Sequence, residues 1–586
     1  MKRKFLILFT FLILGLVGYI YISKDFKKTK DTIYFNATII TLDEHLPQAQ
    51  AMLVKDGIIT ALGTNTEIND LKTEGILSVD LKGATILPGF IDSHTHVALS
   101  AFLESMVDLS GFTHKTNDAV WSHLKNRIED KKAGDWVICK GLDPILTEDL
   151  IVPNMAFLDK ISPNNPLVII SQSLHTYWAN SKAFELTGIS KDSKNPSKSS
   201  YYEKDFNGNL TGLIAEQKAF SPFLEQLKKG ALSSKKLINS TAKVLKNYAK
   251  NGNTTIVSAG LTINDAKPLR LYEHLSNNKP TFINQVLATI GMLSKRTQNP
   301  RHFIYIRYDR AFLLPKKKIL DNDFYNIIGV KHWYDGSPYT GSMYIKEPYM
   351  ISKLCQNKLH IPEGSRGQPL IEKEDLIQFI KDYHKKGWQI AIHTQGDIAN
   401  KNVLEAFTEV NKTIDTKIGR HRIEHCLLLS DSNLTTMKTL HISPSFHINH
   451  LYFYGKALKE SIIGEERANK ILPLLSAQNK DIKFSLHADQ PMFESNPLRL
   501  IQTAVERQTK EGDTLGFNQK ISILNAIKAM TINAAWQIHM EDKIGSLKKE
   551  KYADFVILDK NPLKTSIHKI QDIKILKTVI NGNVVE

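Results

Sequence analysis

Residues 86–96 read ILPGFIDSHTH, an apolar run that ends in two histidines one residue apart. Side chains in a strand alternate faces, so His94 and His96 project to the same side where that strand runs out. Two imidazoles do not close a metal site, which takes three or four ligands. Further candidates occupy the same kind of position. Lys331 ends IIGVK, His393 ends WQIAIH, His425 ends HRIEH and Asp489 ends KFSLHAD. Imidazole and carboxylate ligands suit zinc, and iron, manganese or cobalt accept the same set.

Residues this far apart meet only if the chain between them brings strand ends together. KEDLIQFIKDYHKKG has apolar residues at helical spacing and runs directly into WQIAIHTQGD, which is a βα repeat. Eight segments read as strands of such a series: ILPGFIDSHTH, TTIVSAG, TFINQVLATI, IIGVKHWYDG, WQIAIHTQGD, GRHRIEHC, HISPSFHINH and DIKFSLHADQ. Eight is the number a (β/α)8 barrel requires, and in that fold the strand C-termini converge on the face that carries active sites. The expected fold is therefore α/β, a TIM-like barrel over 89–545 with an insertion at about 100–250. The stretches on either side are different. Residues 32–88 and 546–586 are short strand-like segments with turn signals at Asp56-Gly57 and Asn581-Gly582. They are expected to form the two halves of a small β-sandwich.

The N-terminus reads MKRK followed by an uncharged run from Phe5 to Ile22. That run is just long enough to span a bilayer, which takes about 20 residues. It ends in GYIYISKDFKKTK and lacks the small-residue cleavage site of a signal peptide. Residues 1–31 are therefore expected to be an uncleaved transmembrane anchor and basic linker. The catalytic part is expected outside the cytoplasm, although basic residues flank the run on both sides.

The chain has 586 residues, 42% of them hydrophobic, with a formal net charge of +16. The length suits one large domain with a smaller one appended. The lysines and arginines are scattered, without a basic stripe interleaved with aromatics, so nucleic acid is not an expected partner. Cys139, Cys355 and Cys426 are far apart and odd in number, and do not read as a disulfide framework. Cys426 is expected to be a packed thiol, Glu424 and Arg422 an ion pair, and Asp397 a helix cap.

LPGFIDSHTH, KHWYDGS, IHTQGD, RIEHC, HADQP and ADFVILDKNP, in this order, resemble the amidohydrolase superfamily and its YtcJ-like branch, amidohydrolase family 3, over about residues 32–586. The resemblance implies a split β-domain on a metallo-dependent barrel. It implies one metal on His94 and His96, a second on His393 and His425, and Lys331 bridging them as a carbamate. A plain ammonium has no lone pair for a metal, and burial would favour the modification by lowering the lysine pKa. Asp489 would bind the first metal, serve as general base toward water and, once protonated, pass that proton to the leaving nitrogen. His487 is a rival base or a partner of the ligands. His175 and Trp178, in SLHTYWANS, resemble a segment that reaches over the active site. They are expected to contact substrate, with Trp333, Tyr339, His447 and His450.

The expected activity is metal-dependent hydrolysis of a non-peptide carbon–nitrogen bond, an amide or N-acyl group, in a small molecule. One or two divalent ions are expected, with zinc favoured. A deaminase and an ester or lactone hydrolase on the same scaffold are alternatives. A membrane-tethered binding protein that has lost catalysis is an alternative of another class. Expected partners are the small-molecule substrate, the membrane through residues 5–22, and a second copy of the chain.

Overall fold

The computed structural model describes residues 30–585 apart from 198–199, 231–233, 262, 264, 277–285, 287–297 and 319–320. The predicted anchor, residues 5–22, lies outside the described residues. Among the described residues, no helix is long and apolar enough to cross a membrane.

At the centre is an eight-stranded sheet formed by β1 (Phe90–Thr95), β2 (Asn253–Leu261), β3 (Arg301–Arg307), β4 (Tyr325–Trp333), β5 (Gln389–Thr394), β6 (Arg422–His425), β7 (Ser443–Phe446) and β8 (Ser485–Leu486). Neighbours in sequence are neighbours in the sheet, and every pairing is parallel. Across the seam, Ser93 Oγ on β1 lies 2.7 Å from Ser485 Oγ on β8 and 3.1 Å from Ser445 Oγ on β7, so the sheet curls into a nearly closed barrel. The third strand is RHFIYIR rather than the expected TFINQVLATI, almost all of which lies outside the described residues. Arginine at both ends and an internal histidine disguised RHFIYIR, yet its first six residues are buried. Arg301 goes inside because Asp554 accepts from it at 2.6 Å and 3.1 Å, and the rings of Phe324 and Tyr552 sandwich its guanidinium.

Inward-facing Ile91, Val257, Phe303, Tyr305, Ile328 and Ala391 pack against Ala534 and Ala535 of the helix Ile532–Gln537 and against Ile538, which caps it. That helix plugs the lower end of the barrel, so the upper end, where the strands terminate, is the one left for chemistry. Gly89 sets the start of β1: a Cβ there would lie 2.1 Å from Thr254 Oγ1, closer than any side chain tolerates. Outer helices bury one apolar stripe each. Lys373–Lys385 turns in Leu376 and Ile380, and Asp397–Asn411 turns in Val403, Leu404, Phe407 and Val410.

Asp397 is the first residue of its helix and not the expected cap. Gly396 is the N-cap, because a Cβ there would lie 1.8 Å from the Tyr344 carbonyl oxygen. The Asp397 carboxylate instead accepts the N–H of Lys346 at 3.0 Å.

Between β1 and β2 the chain builds a six-stranded mixed sheet from Val107–Asp108, Val137–Leu142, Leu167–Ser171, Thr176–Ala179, Tyr201–Lys204 and Leu210–Ala215. The two chain ends meet in another six-stranded sheet, where Thr85–Pro88 pairs antiparallel with Phe555–Leu558. A four-stranded sheet from Thr32–Phe35, Ala51–Lys55, Ile58–Gly63 and Leu77–Asp80 shares its core, with Tyr34, Met52 and Ile59 packed with Ile86, Phe555 and Val579.

Candidate metal centre

Strand register delivers the candidate ligands to one place. His393 on β5 is paired with Trp333 on β4 and with Glu424 on β6, and Thr394 is paired with His425. Beyond β8 the backbone turns through a left-handed residue, Asp489, at φ 58°. Its carboxylate becomes the hub. Asp489 Oδ1 lies 3.0 Å from His96 Nε2 and 3.5 Å from His94 Nε2. Oδ2 lies 3.9 Å from both His425 Nδ1 and His447 Nδ1.

Among the described residues, three groups of ligand atoms lie close enough to share an ion: His94 with His96 and Asp489, His425 with His447 and Asp489, and His94 with His425 and His487. Buried polar atoms are almost always hydrogen-bonded. His447 Nδ1 is buried and has no hydrogen-bond partner among the described residues, and the buried Asp489 Oδ1 has only the histidines around it. His447 donates from Nε2 to the Ala488 carbonyl at 3.1 Å, which leaves the Nδ1 lone pair facing Asp489. Imidazole nitrogens from His94, His96, His425 and His447 gathered around one carboxylate, with the His447 Nδ1 lone pair unpartnered 3.9 Å from Oδ2, fit a divalent cation.

Electrostatics prepare the same ligands. Burial holds His94, His393, His425 and His487 below the ordinary imidazole range, and His447 at about 4, so all five are neutral, the ligating form. Burial alone would raise the Asp489 carboxyl, but its contacts with the surrounding histidines, led by the hydrogen bond with His96 at 3.0 Å, outweigh it and keep the group ionised. Burial brings the Lys331 amine down to about 8. Lys331 Nζ lies 3.4 Å from His94 Nε2 and 4.8 Å from the Trp333 ring centroid.

His94 is oriented from behind. Its Nδ1 donates to Glu424 Oε2 at 2.6 Å, and Arg422 grips both oxygens of that carboxylate at 2.8 Å and 2.9 Å. The expected Arg422–Glu424 ion pair is present, but it does more than neutralise charge. It fixes the His94 tautomer so that Nε2 faces Asp489. His487 plays a similar part, with Nδ1 2.7 Å from Ser445 Oγ and Nε2 3.2 Å from His425 Nδ1.

The remaining predicted residues divide. His393 belongs to none of the three groups, but its ring is 4.3 Å from that of His425 and 6.5 Å from Trp333. The His450 ring lies 4.1 Å from that of His447, tilted by 58°, and has both nitrogens occupied, by Tyr339 Oη at 2.6 Å and Gln395 Nε2 at 3.3 Å. His450 and Tyr339 therefore support His447. Trp178 packs with Leu142 and Leu213 in the core of the inserted sheet. With Tyr339, Asp143 and Ser173 it lines a small cavity between that sheet and the barrel. His175 turns its Nδ1 to Glu216 Oε2 at 2.8 Å. Cys426 is buried among Ile423 and Leu427, as a packed thiol should be.

Asp335, which was not singled out from sequence, is buried and accepts the N–H groups of Tyr344, Gln395 and Gly396, each at 2.9 Å. It ties the loop after β4 to the loop after β5. The signal was its place in KHWYDGS, two residues beyond Trp333.

The sequence profile of the amidohydrolase family matches residues 78–586. An N-substituted formamide deformylase from Arthrobacter pascens is 25% identical, covering 94% of this chain and 98% of that protein. A putative amidohydrolase, YtcJ, from Bacillus subtilis is also 25% identical, covering 94% and 99%. The crystal structure of an uncharacterized metal-dependent hydrolase from Pyrococcus horikoshii superposes with a TM-score of 0.68 at 22% identity, covering 92% of this chain and 99% of that one, and shares the fold.

Proposed function

The chain belongs to the amidohydrolase family, whose members are metal-dependent hydrolases, and from that premise we propose that it cleaves an amide or N-acyl carbon–nitrogen bond of a small molecule. The observation that carries the reading is the convergence of His94, His96, His425 and His447 on Asp489, with His447 Nδ1 buried and unpartnered. The likeness to a formamide deformylase supports this bond type over others.

His94, His96 and Asp489, with His425 and His447 beside them, would hold a divalent ion, zinc by donor type. Such an ion supplies a polarised carbonyl and a water acidic enough to react near neutral pH. Glu424 and Arg422 hold His94 in the ligating tautomer. Asp489, kept ionised, accepts a proton from water as its oxygen bonds to the carbonyl carbon. Lys331, whose burial makes the uncharged amine accessible, is the group to carry a carbamate if a second ion binds with His393 and His425. Trp333 offers an apolar face for the substrate's side group. The uncharged run at residues 5–22 supports tethering to a membrane with the catalytic part outside the cytoplasm.

The test is a full-length, metal-quantified preparation assayed on N-acyl amines, formamides, N-acyl amino acids, ureas, esters and aminated heterocycles. Amide or formamide turnover that is abolished by a chelator and restored by zinc, cobalt or manganese is expected. Turnover of aminated heterocycles or esters alone would replace this reading with deamination or ester hydrolysis.

A further inference from the structure

Among the described residues His175 stands outside every group of metal-competent atoms, yet its ring lies beside that of His393. Among the ionisable side chains gathered there, three keep appreciable exposure: His96 at 20%, Asp489 at 16% and His175 at 13%. His94, His393, His425, His447 and Lys331 are closed off behind them. His175 is thus nearly as open to an entering molecule as Asp489. The ring of His175 is 6.3 Å from that of His393.

The partner of His175 is built for it. Glu216 Oε2 sits 2.8 Å from Nδ1, so that nitrogen carries a proton and Nε2 is the one left for the cleft. Glu216 Oε1 accepts from Ser342 Oγ at 2.8 Å and from Thr340 Oγ1 at 3.4 Å, on the loop after β4. The Glu216 backbone N–H donates to the His175 carbonyl at 2.7 Å. Glu216 adopts φ 66°, a left-handed conformation that a residue with a Cβ takes only at a cost, and such strain gathers at functional sites. The glycine of KHWYDGS makes room for this network: a Cβ on Gly336 would lie 2.2 Å from Ser342 Oγ and 3.0 Å from Glu216 Oε1.

We propose that His175 is a catalytic residue that protonates the leaving nitrogen, and that Glu216 is the positioning residue that aims it. The proposal rests on the amide hydrolysis proposed above. An O–H bond of water breaks and its proton goes to Asp489 as the oxygen bonds to the carbonyl carbon. The carbon–nitrogen bond then breaks; His175, which enters the cycle as the imidazolium, gives its Nε2 proton to the nitrogen, which departs as a neutral amine, and the ring is left neutral with its proton on Nδ1. Asp489 returns its proton to solvent and His175 regains one, so atoms and charge balance over the cycle. Acid and base are then two groups, one from the end of β8 and one from the insertion, with the Glu216 carboxylate bearing on the imidazole throughout.

The test uses leaving groups rather than pH. Wild-type, His175→Gln and Glu216→Gln full-length proteins, loaded with zinc, are assayed on two amides with the same acyl group. One releases an aliphatic amine, which cannot leave without a proton, and the other releases 4-nitroaniline, which barely needs one. On the aliphatic amide, His175→Gln is expected to lower kcat by about 10² to 10⁴-fold, with KM little changed, as loss of a general acid does. On the nitroanilide the loss is expected to stay below about 10-fold. Glu216→Gln, which keeps the size of the carboxylate and one acceptor oxygen but loses its charge, should shift in the same direction by less. Equal losses on both amides overturn the proposal and make the pair a staple between the insertion and the barrel. If His175→Gln fails to fold, Glu216→Gln decides by the same comparison. If wild-type protein with measured zinc cleaves neither amide, the proposed function fails and this inference falls with it. Cleavage of both with equal losses removes this inference alone.

Discussion

Replacing Glu424 with glutamine should damage the centre without touching a ligand. Glu424 is fully buried and serves two partners, Arg422 through a bidentate contact at 2.8 Å and 2.9 Å, and His94 Nδ1 at 2.6 Å. Glutamine has almost the same volume, so packing survives. What is lost is the negative charge, which leaves the Arg422 guanidinium buried and uncompensated; breaking a buried pair from one side costs about 3–5 kcal/mol. The glutamine carbonyl can still accept one hydrogen bond, which puts the expected loss toward the lower end. The second effect falls on the metal. An uncharged partner no longer enforces the His94 tautomer, and loss of such a partner weakens metal affinity by about 10- to 100-fold, equivalent to about 1.4–2.8 kcal/mol. Two measurements check this, chemical denaturation of metal-stripped protein and titration with zinc in a competing chelator. The first should show reduced stability and the second weaker binding. A Glu424→Gln protein with unchanged zinc affinity would refute the role of Glu424 in orienting His94, whatever its stability.

Asp489→Asn keeps volume and one coordinating oxygen but cannot take a proton, so turnover should fall by about 10² to 10⁴-fold while melting temperature and most metal survive; near-normal turnover would reduce Asp489 to a loop residue and make His487 the next candidate base. Lys331 should set a pH slope in metal-stripped protein: with a pKa lowered from 10.5 to about 8 by burial, the folded chain binds fewer protons than the unfolded one between those values, so stability should rise by up to about 3 kcal/mol from pH 8 toward 10.5. Lys331→Met should flatten that rise, which denaturation at several pH values reads directly, and an unchanged slope would contradict the assignment. The intact chain should stay with membranes through high-salt and alkaline washes, whereas a chain starting at Thr32 should be recovered in the soluble fraction; a soluble intact chain with a trimmed N-terminus would mark residues 5–22 as a signal peptide.

The strands that bear chemistry were legible because each pairs an apolar run with one abrupt polar residue at its end. ILPGFIDSHTH, WQIAIH and KFSLHAD look unlike solvated strands, and their ends do converge. β3 was missed because its polarity is internal: Arg301 hides behind Asp554, a partner more than 250 residues away that no local pattern reveals. The assignment of roles among the histidines was harder for a related reason. Types and spacing place His447, His450 and His487 in one neighbourhood, but what each can do depends on where its second nitrogen goes. His447 gives Nε2 to a carbonyl and keeps Nδ1 free, whereas His450 is satisfied at both ends by Tyr339 and Gln395. Alternation failed at the strand ends as well, since His425, Cys426 and Asp489 all take positive φ and turn the chain as it leaves the sheet. His175 and Glu216 show the same limit most plainly. They lie 41 residues apart on an insertion, and Glu216 follows an apolar run as inconspicuously as any helix-starting glutamate. Only the fold, by closing the loop after β4 onto that carboxylate, turns the two into a pair aimed at the cleft.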